Sequence, residues 1–254
     1  MKRTIIAASA LAAVSLTACK KKEEATNNTA APSVAYLKKL TETENGVSKV
    51  FTFTYDNQNR LLHFKTANNS ESTAFTYDAA GNLTSVDSKE EDFHNLYTYT
   101  YANGKPASAT LKSWVRSNGQ DGALIEDDAL TYTVTGNRVT GIHLEMLQDN
   151  DEMDFTLTYD ANGELAEVRD GMNFYKATFT YGTHKSPMPF VSSWILDQAG
   201  FSAHFYARRE LLTTTYDLPG TANDRNETRT YTFNAGGYPL TSAGAGVTTT
   251  YEYQ

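Results

Sequence analysis

The sequence predicts an all-β fold, an antiparallel up-and-down meander of β-hairpins curling into a soluble barrel or half-barrel. One short helical or irregular insert near 183–212 interrupts it. Three observations predict this. A pattern of apolar residue, threonine, tyrosine and aspartate recurs along the chain. Within each copy aromatics alternate with threonines, a period of two that places rings on one face of a strand and hydroxyls on the other. The single cysteine stands at position 19, so no disulfide forms within one chain and the ~220 residues from 34 to 254 must build one packed core.

Lys2 and Arg3 open the chain, followed by an apolar run from Ile5 to Leu16. That run is shorter than the roughly 20 residues of a membrane-spanning helix, and it ends in small residues, the layout of a secretory signal peptide over 1–18. Leu16-Thr17-Ala18-Cys19 resembles the lipobox of bacterial lipoproteins. The resemblance implies that Cys19 becomes the first mature residue and carries three acyl chains. Each buried methylene contributes about 0.8 kcal/mol, so three chains make attachment effectively permanent. Lys20 to Glu24 and the polar tract through Pro32 cannot bury apolar area, and 19–33 reads as a flexible tether. The Lys-then-Glu run also resembles the surface-export signal of Bacteroidota lipoproteins. It implies an outer-membrane address facing the cell exterior, with the periplasmic face as the alternative.

Without residues 1–18 the chain carries 20 basic against 30 acidic side chains. Nucleic acid is excluded as a partner, since phosphates demand clustered lysine and arginine. Anionic headgroups would repel the domain, which leaves the N-terminal lipid as its membrane attachment. Composition shows no break within 34–254, so a single domain and a monomer are expected.

The strongest copies of the repeat come in order at Tyr55-Asp56, leading to Leu61 and Phe64; at Tyr77-Asp78, leading through Gly81 to Leu83 and Val86; and at Tyr159-Asp160, leading through Gly163 to Leu165 and Val168. Each reads as strand, tight turn and return strand. Aspartate bonds back to the local backbone, glycine accepts positive φ, and the leucine re-enters the apolar face. The three-residue step from Leu83 to Val86 breaks strict alternation and predicts a bulge or an early strand end. Weaker copies occur at Tyr99-Thr100-Tyr101, Leu130-Thr131-Tyr132, Phe179-Thr180-Tyr181, Tyr216-Asp217-Leu218-Pro219-Gly220 and Tyr231-Thr232-Phe233, and Thr249–Tyr253 forms the last strand. Opposite the aromatics stand Thr52, Thr54, Thr76, Thr98, Thr100, Thr156, Thr158 and Thr232. A membrane barrel needs an apolar outer band of about 25 Å, so the threonines are expected to face water and the rings the interior.

The insert opens on Pro187-Met188-Pro189-Phe190 and continues through Val191, Trp194, Ile195 and Leu196; residues 199–212 are expected to form one short helix. It is expected to plug or cap the barrel. The sharper alternative is a ligand-binding lid in which Trp194, with Trp114 as a second platform, stacks on a glycan.

Tyr-Asp-x-x-Gly-x-Leu, as at Tyr77–Leu83 and Tyr159–Leu165, resembles the YD repeats of the RHS family, whose hairpins spiral into a shell around a toxin. No toxin-like region is present here, so the resemblance implies hairpins and not the shell. In size and layout the chain is more similar to Bacteroidota lipoproteins bearing a domain of unknown function with a porin-like fold. These share the lipobox, the acidic tether, the Tyr-Asp hairpins, the Pro-Phe insert and a final aromatic strand. That resemblance covers 34–254 and implies a fold and an envelope address, but no catalytic residues.

Reactive constellations are missing from the sequence. The five histidines are scattered; His143 shares a strand face with Glu145, yet no third ligand is identifiable. Asp149, Asp151, Glu152 and Asp154 lack the spacing of an EF-hand. No Gly-x-Ser-x-Gly occurs, and adjacent carboxylates such as Glu126 and Asp127 are ordinary on an acidic surface. The expectation is a non-enzymatic envelope protein without metal or cofactor, binding a glycan or protein partner. Its rivals are a glycan-processing hydrolase with carboxylates gathered by the fold, and a purely structural envelope protein. Cys19→Ala is expected to abolish incorporation of labelled fatty acid and to release the chain from membranes; unchanged membrane association would refute the anchor.

Overall fold

A computed structural model describes residues 35–198, 201–221 and 224–254. Leu16, Thr17, Ala18, Cys19 and the tether over 19–33 lie outside the described residues. The rest forms one antiparallel sheet of 17 strands and one short helix.

The strands are β1 (Leu37–Glu44), β2 (Val47–Tyr55), β3 (Leu61–Thr66), β4 (Ser72–Tyr77), β5 (Leu83–Lys89), β6 (Phe93–Ala102), β7 (Lys105–Ser117), β8 (Gln120–Thr135) and β9 (Arg138–Met146). They continue with β10 (Asp151–Tyr159), β11 (Leu165–Asp170), β12 (Lys176–Lys185), β13 (Arg209–Asp217), β14 (Arg225–Thr228), β15 (Thr230–Phe233), β16 (Pro239–Gly244) and β17 (Val247–Tyr253). Neighbours in sequence are neighbours in the sheet, and β1 pairs with β2 on one side and β17 on the other. Tyr36 and Gln254 exchange backbone hydrogen bonds at 2.9 and 3.2 Å where the two ends meet. One residue, Arg229, separates β14, which pairs with β13, from β15, which pairs with β16. The result is a nearly closed barrel.

The faces follow the alternation. Phe51, Phe53, Phe75, Tyr99, Leu130, Phe155, Leu157, Phe179 and Tyr251 are buried inside. All eight threonines named above are exposed on the outside. Several bond across strands, as Thr76 Oγ1 with Ser85 Oγ at 2.8 Å and Thr232 Oγ1 with Thr241 Oγ1 at 2.7 Å.

The Tyr-Asp turns gather at one end of the barrel. Asp56 Oδ1 accepts from the amides of Gln58 and Arg60 at 2.8 Å each, Asp78 Oδ1 from Asn82 at 2.8 Å, and Asp160 Oδ1 from Asn162 and Glu164 at 2.8 and 3.0 Å. Three residues after the aspartate the backbone turns left-handed, at Gly81 (φ 87°) and Gly163 (φ 90°), and at Asn59 (φ 61°) in the copy without glycine. Asparagine tolerates that region best among residues with a side chain. The bulge predicted near Leu83 is present. Tyr77 pairs with Leu83 and Thr76 with Ser85, leaving Thr84 as the extra residue. The same slip follows Leu61 and Leu165.

At each slip a tyrosine closes the structure. Tyr55 Oη donates to the Leu37 carbonyl at 2.7 Å, Tyr77 to Leu61 at 2.9 Å, Tyr101 to Leu83 at 2.8 Å, Tyr159 to Val139 at 2.6 Å and Tyr181 to Leu165 at 2.9 Å. In every case the acceptor is the first or second residue of an earlier strand, and its side chain is buried.

In the copy at Leu130–Tyr132 the register slip falls two residues later, where Val134 pairs with Val139, and β8 runs on to Thr135 before the turn at Gly136. Tyr216-Asp217 turns at the opposite end of the barrel, since β13 runs away from the Asp turns. The bounds of the insert need correction. The helix spans Phe201–Tyr206 only: from Arg209 the chain pairs with β12, Lys185 opposite Arg209 and Tyr181 opposite Leu211, and this pairing overrides local helix propensity. Residues 183–185 likewise belong to β12.

Tyr77→Phe is expected to cost about 1–2 kcal/mol in denaturant unfolding, because it strands the Leu61 carbonyl. Tyr253→Phe, which removes a buried hydroxyl without a partner, should leave stability unchanged or slightly raised.

Candidate functional site

The segment between β12 and β13 enters the barrel as a plug. Val191, Ile195, Leu196, Ala203 and Phe205 are buried there, and the Val191 amide donates to the Phe205 carbonyl at 2.8 Å. Ser202 donates its amide to Asp197 Oδ2 at 2.6 Å, at the start of the helix. The wall holds the plug by specific bonds. Tyr132 Oη donates to the Leu196 carbonyl at 2.8 Å and Tyr206 Oη to the Gly163 carbonyl at 2.9 Å. Where the plug leaves, Arg209 Nη2 lies 2.6 Å from Asp160 Oδ2, and the Arg208 amide donates to Glu164 Oε1 at 3.2 Å. The Tyr-Asp residues Tyr55, Asp56, Tyr77, Asp78, Gly81, Leu83, Tyr159, Asp160, Gly163 and Leu165 thus act as scaffold at this end.

The plug fills part of the lumen. Between it and the wall formed by β1, β2, β3, β13, β15 and β17 lies a cavity of about 320 Å³. Most of its lining is apolar, including Leu40, Phe51, Phe53, Phe64, Met188, Phe205 and Leu211. Phe205 stacks on Phe64 with ring centroids 6.0 Å apart and tilts against Phe75 at 5.4 Å.

Besides the two tyrosines, five polar side chains interrupt this lining: Glu42, Ser186, His204, Arg229 and Thr249. His204 keeps an open ring surface although the barrel surrounds it. Burial, and then the nearby Arg229, hold its imidazole below the ordinary histidine value, with Glu227 opposing. Burial also raises the Glu42 carboxyl above the ordinary range, against the pull of Arg229 and Lys49. Thr249 is 2% exposed, and its hydroxyl has the Tyr251 side chain as its one neighbouring hydrogen-bond group among the described residues. The Arg229 guanidinium has no hydrogen bond or ion pair among the described residues. Its stem passes over Gly244, where an added Cβ would come within 2.9 Å of Arg229 Cγ.

The two tryptophans do not share a site. Trp114 lies on the outer wall, its ring 4.9 Å from His94, which is held between Asp121 at 2.8 Å and Asp87 at 3.1 Å. Trp194 is half-buried in the plug and packs against the core. His143 Nδ1 bonds Asp154 at 2.8 Å, and this bond raises its pKa, with Glu152 and Glu145 adding. Among the described residues no group of three or more His, Cys, Asp or Glu side chains is placed to hold a metal ion. The cavity residues escaped sequence reasoning, although one signal was present. Glu227, Arg229, Tyr231 and Phe233 share one parity, so Arg229 stands on the aromatic, inward face.

No protein-family model matches the chain, and no curated protein matches it. Among solved structures the chain is similar to a porin-like protein from Bacteroides vulgatus, with 12% identity and a TM-score of 0.56 over 87% of this chain and 99% of that one. It is also similar to a porin-like protein from Bacteroides uniformis, with 15% identity and a TM-score of 0.52 over 85% and 96%. At these identities the likeness is one of fold.

A second interior carboxylate, Asp128, lies outside the cavity lining. Burial, then Glu126, Asp127 and Asp149, push it up to about 6. A raised carboxyl favours the folded state while protonated, so its contribution is present below about pH 4 and lost as pH rises through about 6. Asp128→Asn is therefore expected to raise the midpoint of thermal unfolding at pH 8 and leave it unchanged at pH 4. The gain is at most about 2–3 kcal/mol, at about 1.4 kcal/mol per pH unit of displacement.

Proposed function

We propose that this chain is a surface lipoprotein of the cell envelope that holds a small ligand in its lumen and performs no catalysis. The likeness in fold to porin-like proteins of Bacteroides supports the envelope address. The lipobox-like Leu16–Cys19 supports attachment by lipid, and the hydroxyl-rich outer wall suits a barrel held beside the membrane rather than in it. One observation carries the ligand reading: the plug leaves a cavity of about 320 Å³ against an aromatic wall. That is the lower end of the roughly 300–1,000 Å³ of small-molecule sites. Against hydrolysis, the lining holds one carboxylate, Glu42, where glycoside hydrolysis uses two.

A second reading, partner binding, draws on a different observation. At the end opposite the Asp turns, Val47, Phe93, Leu147, Met172 and Phe174 are exposed around the hairpin tips. Exposed apolar groups gathered in one region mark interaction surfaces.

The chain from residue 20 onward keeps every described residue of the barrel and serves for the test. Titration with 1-octanol, a neutral apolar probe, is expected to give saturable one-to-one binding by calorimetry. Ala207→Phe, which puts a ring into the cavity, should block binding while circular dichroism shows the sheet intact. Absence of binding by the unmodified barrel would overturn the luminal reading.

A further inference from the structure

Resting on the luminal reading above, we propose that the cavity takes an apolar monocarboxylate, its head held by Arg229 and its hydrocarbon body lying against Phe51, Phe64 and Phe205. Arginine stays charged under all relevant conditions. Here that charge lines a mostly apolar cavity and meets no carboxylate within ion-pair distance among the described residues. An unpaired charge in such surroundings is costly. A carboxylate offers the guanidinium two parallel hydrogen bonds, the arrangement in which charge-assisted bonds are strongest. Thr249 supplies a second pointer: its hydroxyl is buried and lines the same cavity, with the Tyr251 side chain as its one neighbouring hydrogen-bond group among the described residues, so it can donate to the same head group.

Glu42 is the rival anchor and would favour a cation. Burial raises its carboxyl, against the pull of Arg229 and Lys49, whereas the guanidinium keeps its charge throughout. A cationic ligand would have to face that guanidinium.

The test titrates octanoate, 1-octanol and octylammonium into the chain from residue 20 onward. Octanoate is expected to bind roughly 10- to 100-fold more tightly than 1-octanol, the range for a hydrogen bond to a charged group, and octylammonium most weakly. Arg229→Gln should erase the preference for octanoate and leave 1-octanol binding as it was. Equal binding of octanoate and 1-octanol, or an octanoate preference that survives in Arg229→Gln, would overturn the head-group assignment and leave luminal binding standing. Tightest binding of octylammonium would overturn it in favour of Glu42, and binding of none of the three would overturn both readings. Should Arg229→Gln fail to fold, the three ligands on the unmodified barrel decide the matter.

Discussion

The barrel depends on one bond repeated around its end: a tyrosine hydroxyl reaching back to a backbone carbonyl at the start of an earlier strand. A bulge at that point takes the ladder out of step, and a buried backbone carbonyl must find some partner. The tyrosine supplies it. Because the donor lies toward the end of its own strand and the acceptor at the start of another, each bond fixes the stagger between the two. Tyr55, Tyr77, Tyr101, Tyr159 and Tyr181 all make it. The aspartate that follows tyrosine in the clearest copies closes the turn, so one dipeptide sets both the reversal and its attachment to its neighbour.

Departures from the repeat fall where the plug meets the wall. In β8 the turn position holds Val134, which has no hydroxyl to offer, and Tyr132 instead donates to the plug at Leu196. In β15 that position holds Phe233, and Tyr231, two residues earlier, reaches Leu211 at 2.9 Å, just past the plug's exit. Tyr206 of the plug in turn bonds the carbonyl of Gly163, inside a regular Asp turn. The plug is thus fastened by the same chemistry that builds the wall, with tyrosines shifted by one pleat.

This explains what could be read in the sequence and what could not. The hairpins were legible because tyrosine, aspartate and glycine stand at fixed offsets and each has a local reason to be there. The bulge was legible from the spacing of Leu83 and Val86. The direction of the Tyr216-Asp217 turn was not, because the same dipeptide serves at either end and only the count of preceding strands tells which. The plug's extent was hidden for a similar reason: residues 207–212 have helical propensity, and their place in the sheet depends on β12, far from them in local pattern. The cavity was the least legible. Its lining draws on six strands and the plug, and no window of sequence contains more than a few of its residues.

A partly hollow interior follows from the size of the ring. Small barrels of about eight strands fill their interiors with side chains, whereas rings of 16–18 strands enclose more space than side chains can reach. This barrel, with 17 strands, is of the second kind, and among the described residues the segment between β12 and β13 is the one that fills it. The plug packs closely against Phe64 and Phe75 through Phe205, which leaves the opposite side, at β1, β15 and β17, unfilled. Leucine or phenylalanine at position 229 would shrink the void at no electrostatic cost. The chain instead places a half-buried arginine there, beside the buried hydroxyl of Thr249. Stability alone gives no reason for that choice, since a charge without an ion-pair partner against an apolar lining is unfavourable; a ligand that brings the missing negative charge does.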